Sequence, residues 1–317
     1  MATAVMWFVA GLVLLALGGD SIVKGASGLA QRFGASPFIA GLLLVAFGTS
    51  LPELAVNARA VWIGSQDLAL GNAVGSNIAN IGLTLGAAAL AAPLVLRSRA
   101  VGPLLVWLLA MTAVTIGFGL DGVLSRNEGL LLLAGFVVML AFLVLRGRRE
   151  PVELQSDIAG FAETRPGLGL NLSRVVIAIV AMYFGAKWLV QSAPVVGAGL
   201  GMGPLVTGLL PVAICTALPE MAAAVVAARR GQGDMVAGHV LGSSLFNLLV
   251  VLGGMAAFRP TPLPASFVQF ELPAAFALAL ILFPMARSEL RISRHEGAVL
   301  LFAFAAWLAW ELFHLAA

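Results

Sequence analysis

The sequence predicts an all-α polytopic membrane protein: ten transmembrane helices in two inverted five-helix repeats, with broken helices at the centre. Three observations carry this. The first is composition. Of 317 residues, 61% are hydrophobic and only 10% charged, whereas a soluble domain carries about 25% charged residues. Mean hydropathy is +1.02, and apolar runs of about 20 residues, the length of a bilayer-spanning helix, recur along the chain. A β-barrel is excluded, because its strands would alternate polar and apolar residues.

The second observation is an internal repeat. The stretch AFGTSLPEL, followed by GNAVGSNIAN, returns as AICTALPEM and GHVLGSSLFN. Adding 167 takes Thr49, Leu51, Pro52 and Glu53 to Thr216, Leu218, Pro219 and Glu220. The same offset takes Asp67, Gly71, Gly75, Ser76 and Asn80 to Asp234, Gly238, Gly242, Ser243 and Asn247. The match extends outward: Pro37, Gly41 and Gly86 meet Pro204, Gly208 and Gly253. At offset 168, Ser125-Arg126 and Glu128-Gly129 recur as Ser293-Arg294 and Glu296-Gly297.

The third observation is the number of crossings in each repeat. The apolar runs predict helices over 4–31, 36–63, 67–93, 101–118 and 127–146, then 170–197, 203–229, 233–257, 266–286 and 296–315. Residues 1–146 and 170–317 therefore form two five-helix halves, joined by a polar linker over 147–169 that is too short for a folded domain. An odd number of crossings sends the second half in from the opposite side. That is the inverted plan of many secondary transporters, whose site lies near the midplane between the repeats.

Each span fits its flanks. The first lacks a basic leader region and a cleavage site, so it reads as a retained helix. With both termini outside, the inner loops hold most of the arginines, among them Arg97, Arg99, Arg148, Arg149, Arg229 and Arg230. The outer loops hold Arg59, Arg126 and Arg259. The positive-inside rule then predicts N-out and C-out. The net charge of +3 reports this orientation, not nucleic-acid binding. The single cysteine, Cys215, allows neither an internal disulfide nor a cysteine-built metal site. Trp7, Trp307 and Trp310, near helix ends, are expected to be interfacial anchors. No obligate protein partner or cofactor is evident; the bilayer is the surrounding partner.

Chemistry concentrates at the repeated motifs. Glycine and proline inside a spanning helix interrupt its hydrogen-bond ladder, and the freed carbonyls need a polar or cationic partner. In each copy a carboxylate follows directly, Glu53 or Glu220. Hydroxyl residues precede it, Thr49 and Ser50 or Thr216. The next helix adds Ser76 and Asn80, or Ser243 and Asn247, at i, i+4 spacing on one face. Carboxylate, hydroxyl, amide and carbonyl oxygens suit hard cations. A lone intramembrane glutamate is also consistent with a protonated structural residue. Two at repeat-equivalent places beside helix breaks point to function, because converging carboxylates repel unless cations lie between them. The serines and asparagines are also consistent with inter-helix hydrogen bonding, and Gly71 and Gly238 with close packing.

The motif pair GTSLPE…GNAVGSNIAN and TALPE…GHVLGSSLFN resembles the two α-repeats of the calcium/cation antiporter superfamily, closest to its prokaryotic sodium/calcium exchanger branch. The resemblance covers essentially the whole chain. It implies four ion sites at the centre of a ten-helix inverted repeat. Helices two, three, seven and eight would supply the ligands, and helices one and six would slide to alternate access. It further implies a central calcium site built on Glu53 and Glu220, with carbonyls near Thr49 and Thr216. Sodium sites would draw on Ser50, Ser76, Asn80 and Ser243. Asn247 stands where some relatives have Asp, so the core holds two carboxylates, a charge one divalent cation balances. Potassium coupling, which uses that Asp, is not implied.

The chain departs from the pattern at three places. Cys215 and Ala217 replace the Gly48 and Ser50 of the first copy, His239 replaces Asn72, and Asn247 replaces the Asp of some relatives. The expected function is calcium export in exchange for sodium across the inner membrane. The alternative is proton-coupled exchange of calcium or another divalent cation, since histidine titrates near neutral pH. An ion channel fits less well, because pores are built from rings of like groups. An intramembrane enzyme fits less well still: no nucleophile–base pair flanks the carboxylates, and no H-E-x-x-H motif is present. Asp20 and Lys24, four apart on helix one, and Lys187, the repeat mate of Asp20, read either as a polar seam in the mobile helices or as snorkelling charges.

Overall fold

In hydrocarbon a backbone has no water to satisfy its N–H and C=O groups, so apolar runs of this length fold as helices. The computed structural model describes residues 1–33, 48–97, 100–147, 167–287 and 291–316. Helix α1 is Ala2–Arg32. A 3-10 turn over Gly48–Ser50 leads into α2, Leu51–Trp62. Next come α3 (Gln66–Ala91), α4 (Val101–Phe118) and α5 (Arg126–Gly147). The second half has α6 (Leu168–Gly199), α7 (Pro204–Arg229) and α8 (Gly233–Phe258). Helix α9 opens with a π turn, Phe267–Glu271, and continues over Leu272–Arg287. Helix α10 is Arg294–Ala316.

Among the described residues, nine helices are long and apolar enough to cross a membrane. Helix α2 is the described part of the expected span 36–63; residues 36–47 lie outside the described residues, as does nearly all of the expected linker 147–169. Every other helix end falls within about two residues of its expected place, the usual scatter of helix boundaries.

The helices are not equally deep. In α3 and α8, 83% of the apolar window is buried, against 28% in α1 and 17% in α6. The glycine- and serine-rich motif helices therefore form the core, and α1 and α6 pack on each other at its flank. Glycine permits that contact: a Cβ at Gly11 would lie 2.8 Å from the Gly185 carbonyl oxygen, and one at Gly185 would lie 2.9 Å from that of Gly11. Small residues that let backbones touch are the usual means of membrane helix association.

The expected breaks take a different form. Pro211 and Pro219 lie inside the continuous run of α7, and its ladder widens to a π turn at Gly208–Val212. Helices α3 and α8 carry π turns at equivalent places, Ala79–Leu85 and Asn247–Leu252. A π turn shifts hydrogen bonds to i→i+5, so a helix passes an irregular residue without a gap. One expected anchor is also corrected. Trp307 is 6% exposed and packs against Phe304, whereas Trp310 is 50% exposed. Its helix turns Trp307 inward, on the face that also buries Leu300 and Phe304.

Two short antiparallel ladders tie the halves. β1 (Leu94–Val95) pairs with β4 (Arg291–Ile292), and β2 (Val123–Leu124) pairs with β3 (Thr261–Pro262). By repeat offset β1 is equivalent to β3 and β2 to β4, so equivalent strands never pair and each takes the other's partner. Helix α4 separates β1 from β2, which puts the ladders at opposite ends of that helix. The glycine crossings obey the same exchange. A Cβ at Gly86 would lie 3.1 Å from the Gly297 carbonyl oxygen, and one at Gly253 would lie 3.1 Å from that of Gly129. Gly297→Val and Gly129→Val should each lower the thermal unfolding midpoint in detergent, at an overpacking cost of about 1–3 kcal/mol. Unchanged midpoints would show that these crossings are loose.

Candidate ion-binding site

The site begins with two helix turns that hold a carboxylate. Pro52 occupies the first turn of α2, and Glu53 follows it. Proline suits this position because its missing N–H has no helical acceptor there, and the helix N-terminus favours an anion. In α7, Pro219 lies within the helix, so its missing N–H leaves the Cys215 carbonyl without its helical donor. Glu220 follows it. Glu53 is 3% exposed and Glu220 is 9% exposed.

Both carboxylates line one cavity of about 310 Å³, together with Thr216, Cys215, Pro52 and Pro219. Helix α1 forms its opposite wall through Leu12, Leu15, Ala16, Gly19, Asp20 and Val23. The close approach of α1 depends on Gly19, where a Cβ would lie 2.9 Å from Pro52 Cγ. Asp20 thus faces the same space as the two glutamates while its Oδ2 accepts from Lys24 Nζ at 2.6 Å. Both members of that pair are more than half exposed, so the bridge itself contributes little. Thr216 directs its hydroxyl to the Ala213 carbonyl at 3.1 Å.

Thr49 lies in the 3-10 turn Gly48–Ser50. Ser50, Ser76, Asn80, Ser243 and Asn247 are each 1% exposed or less, yet none of them lines that cavity. Helix packing brings their elements to its rim. The π turn holding Asn80 packs on α7, and the one holding Asn247 packs on α2. The α-helical part of α8, which holds Ser243, meets the Gly48–Ser50 turn.

The hydrogen-bond inventory is unusual here. Ser50 Oγ, Glu53 Oε2, Ser76 Oγ, Asn80 Oδ1, Asn247 Oδ1 and both Glu220 carboxylate oxygens are buried without a partner. Native interiors leave very few such atoms unpaired, and each needs an explanation. Asn247 Nδ2 is likewise unpaired, but oxygens predominate, and with two carboxylates among them they form a donor set suited to hard cations such as calcium and sodium.

The halves differ at one polar pair. Asn72 donates to Asn57 Oδ1 at 3.1 Å, with both residues buried. Their repeat mates are His239 and Ala224. Alanine offers no amide, and His239 instead stands between Glu220 and Ser243. Its Nε2 is 3.9 Å from Glu220 Oε1, and its Nδ1 is 3.4 Å from Ser243 Oγ. Asn57 belongs to no motif; the cue to its role is the joint loss of both amides in the second half.

These features define an integral membrane protein with two buried, repeat-equivalent carboxylates lining one cavity. The sodium/calcium exchanger protein family matches the chain twice, over residues 3–145 and 171–313. CaxA of Alkalimonas amylolytica is 37% identical over 309 residues, covering 96% of this chain and 97% of that one. The sodium/calcium exchanger MaX1 of Methanosarcina acetivorans is 32% identical, covering 94% and 95%. A solved structure of the sodium-calcium exchanger NCX_Mj superimposes with a TM-score of 0.69 at 29% identity, covering 97% of this chain and 98% of that one. The chain belongs to the sodium/calcium exchanger family and is a membrane cation antiporter.

Asn57→Ala strands the Asn72 amide in the core. It should lower stability by about 1–3 kcal/mol, the cost of a buried unpaired polar group, read as a fall in the thermal midpoint. No fall would show that Asn72 is paired elsewhere.

Proposed function

We propose that this protein exchanges calcium for sodium across the inner membrane by alternating access. In this reading two inverted five-helix halves form a ten-helix transporter with both termini outside. The swapped ladders and reciprocal glycine crossings support that arrangement. The observation that carries the function is the pair Glu53 and Glu220, from repeat-equivalent helices, buried in one cavity with unpartnered oxygens. Two ionised carboxylates there are tolerable only when neutralised. One calcium ion does so between them, helped by backbone carbonyls at Thr49 and Thr216. Sodium ions do so through Ser50, Ser76, Asn80 and Ser243, with Asn247 contributing its amide oxygen. Exchange follows because helices α1 and α6 slide only past a neutralised site.

A second reading keeps the fold and replaces sodium by protons. The contact of His239 with Glu220 favours it, as does the absence of a hydroxyl at Ala217. The separating experiment is radiolabelled calcium uptake into vesicles holding the purified protein, under a sodium gradient or a proton gradient. Uptake driven by sodium supports the main reading; uptake driven only by protons moves the assignment to the second.

Glu53→Gln and Glu220→Gln should each lower calcium affinity about 100-fold or more, the scale of unpairing a buried charge at about 3–5 kcal/mol. Gel filtration should show the fold retained, and substantial flux in either variant would sink the site. Ala217→Ser should strengthen sodium dependence if sodium is the partner. If protons are, His239→Asn should remove proton-driven uptake.

A further inference from the structure

Away from the central cavity, two further carboxylates are buried in the spanning helices: Glu271, 5% exposed, and Glu311, 8% exposed. Glu271 closes the π turn that opens α9, and Glu311 lies in the last turns of α10. At 1.5 Å per residue, each sits roughly 7 Å from the same end of the bundle. Their neighbours fix the register: Phe270 and Trp310 touch, ring centroids 5.3 Å apart. Glu271 lies within electrostatic reach of Glu311, which the Trp307 indole and His314 also face. His314 is engaged through Nδ1 with the Trp310 carbonyl at 2.9 Å. The Ser266 hydroxyl faces Glu271. Glu271 Oε2 and Glu311 Oε1 are buried without a hydrogen-bond partner.

The first half of the chain serves as an internal control. The burial pattern of α4 follows that of α9 at offset 167, and that of α5 follows α10 at offset 168. In that register Glu271 corresponds to Leu104 and Glu311 to Leu143, at 4% and 2% exposure. The π turn is also missing there, since Val101–Phe118 is ordinary α-helix. Packing at the equivalent place in the first half is met by two leucines and regular α-helix, whereas the second half holds two carboxylates and a π turn there. The three changes converge. A π turn brings residues five apart onto one face, which aligns Ser266 with Glu271.

We propose that Glu271 and Glu311 form a second cation site, separate from the central one, that holds a hard divalent cation such as calcium between α9 and α10. The carboxylates supply charge, the Ser266 hydroxyl supplies a neutral oxygen, and water reaching the exposed Ser266 completes the shell.

The test is equilibrium binding of radiolabelled calcium to the purified full-length protein carrying Glu53→Gln and Glu220→Gln, which disables the central site. Saturable binding of about one calcium per chain is expected to remain. It should be lost when Glu271→Gln and Glu311→Gln are added. The variant with Glu271→Leu and Glu311→Leu, which restores the residues of the first half, should stay monodisperse and also bind none. The proposal is overturned if the protein lacking the central site binds no calcium, or if its binding survives loss of both glutamates. It is equally overturned if its thermal midpoint ignores calcium and rises only on acidification, which would make the pair a shared-proton contact. Failure of transport without loss of this binding would concern the central site alone.

Discussion

Two carboxylates that share one cavity inside a membrane impose the condition on which the rest of this structure depends. Glu53 and Glu220 are 3% and 9% exposed, so solvent does little to stabilise a charge on either. Every element around them serves to hold that unfavourable pair in place. Pro52 and Pro219 set the turns that precede them, and the N-terminus of α2 presents its positive end to Glu53. Helices α3 and α8, the most deeply buried of the described spans, pack against α2 and α7, and the side-chain oxygens of Ser76, Asn80 and Asn247 on them lack hydrogen-bond partners. In the proposed exchange, cations among these unpaired acceptors would neutralise the pair and so link occupancy to conformational change.

The fold meets the condition through near-symmetry. The exchanged ladders and the reciprocal glycine crossings at Gly86–Gly297 and Gly129–Gly253 join the two similar halves. Each half then contributes one carboxylate to a shared space. In the proposed mechanism such near-symmetry would allow two related packings of the same elements, as alternating exposure of a single site requires. The departures from symmetry are correspondingly informative. Asn72 donates to Asn57 in the first half, whereas with Ala224 in the second His239 turns toward Glu220. At the far end of α9 and α10, two glutamates and a π turn stand where the first half has two leucines and a regular helix.

Much of this was legible in the sequence. Hydropathy located the spans because a backbone in lipid has few options. The offset of 167 exposed the repeat because duplicated halves keep the residues that carry shape and charge. Glu53 and Glu220 stood out because an ionisable residue in an apolar run is costly to retain. Periodicity says nothing of the direction a buried imidazole takes, so the place of His239 depended on what Ala224 failed to offer across the helix interface. Glycine and proline signalled irregular backbone without revealing that in α7 a π turn within a continuous helix accommodates it. Trp307 looked like an anchor because its depth could be counted, whereas its facing could not.

The sequence by itself determined the membrane class, the repeat, the helix boundaries and the two carboxylates, all of which follow from local composition and from the cost of polar groups in hydrocarbon. Tertiary structure alone decided which oxygens share a cavity, that α1 walls it and that Phe270, beside Glu271, meets Trp310, beside Glu311. Those outcomes depend on how helices distant in the chain are rotated against each other. That rotation is set by the small residues and aromatic rings at their crossings, and no single segment encodes it.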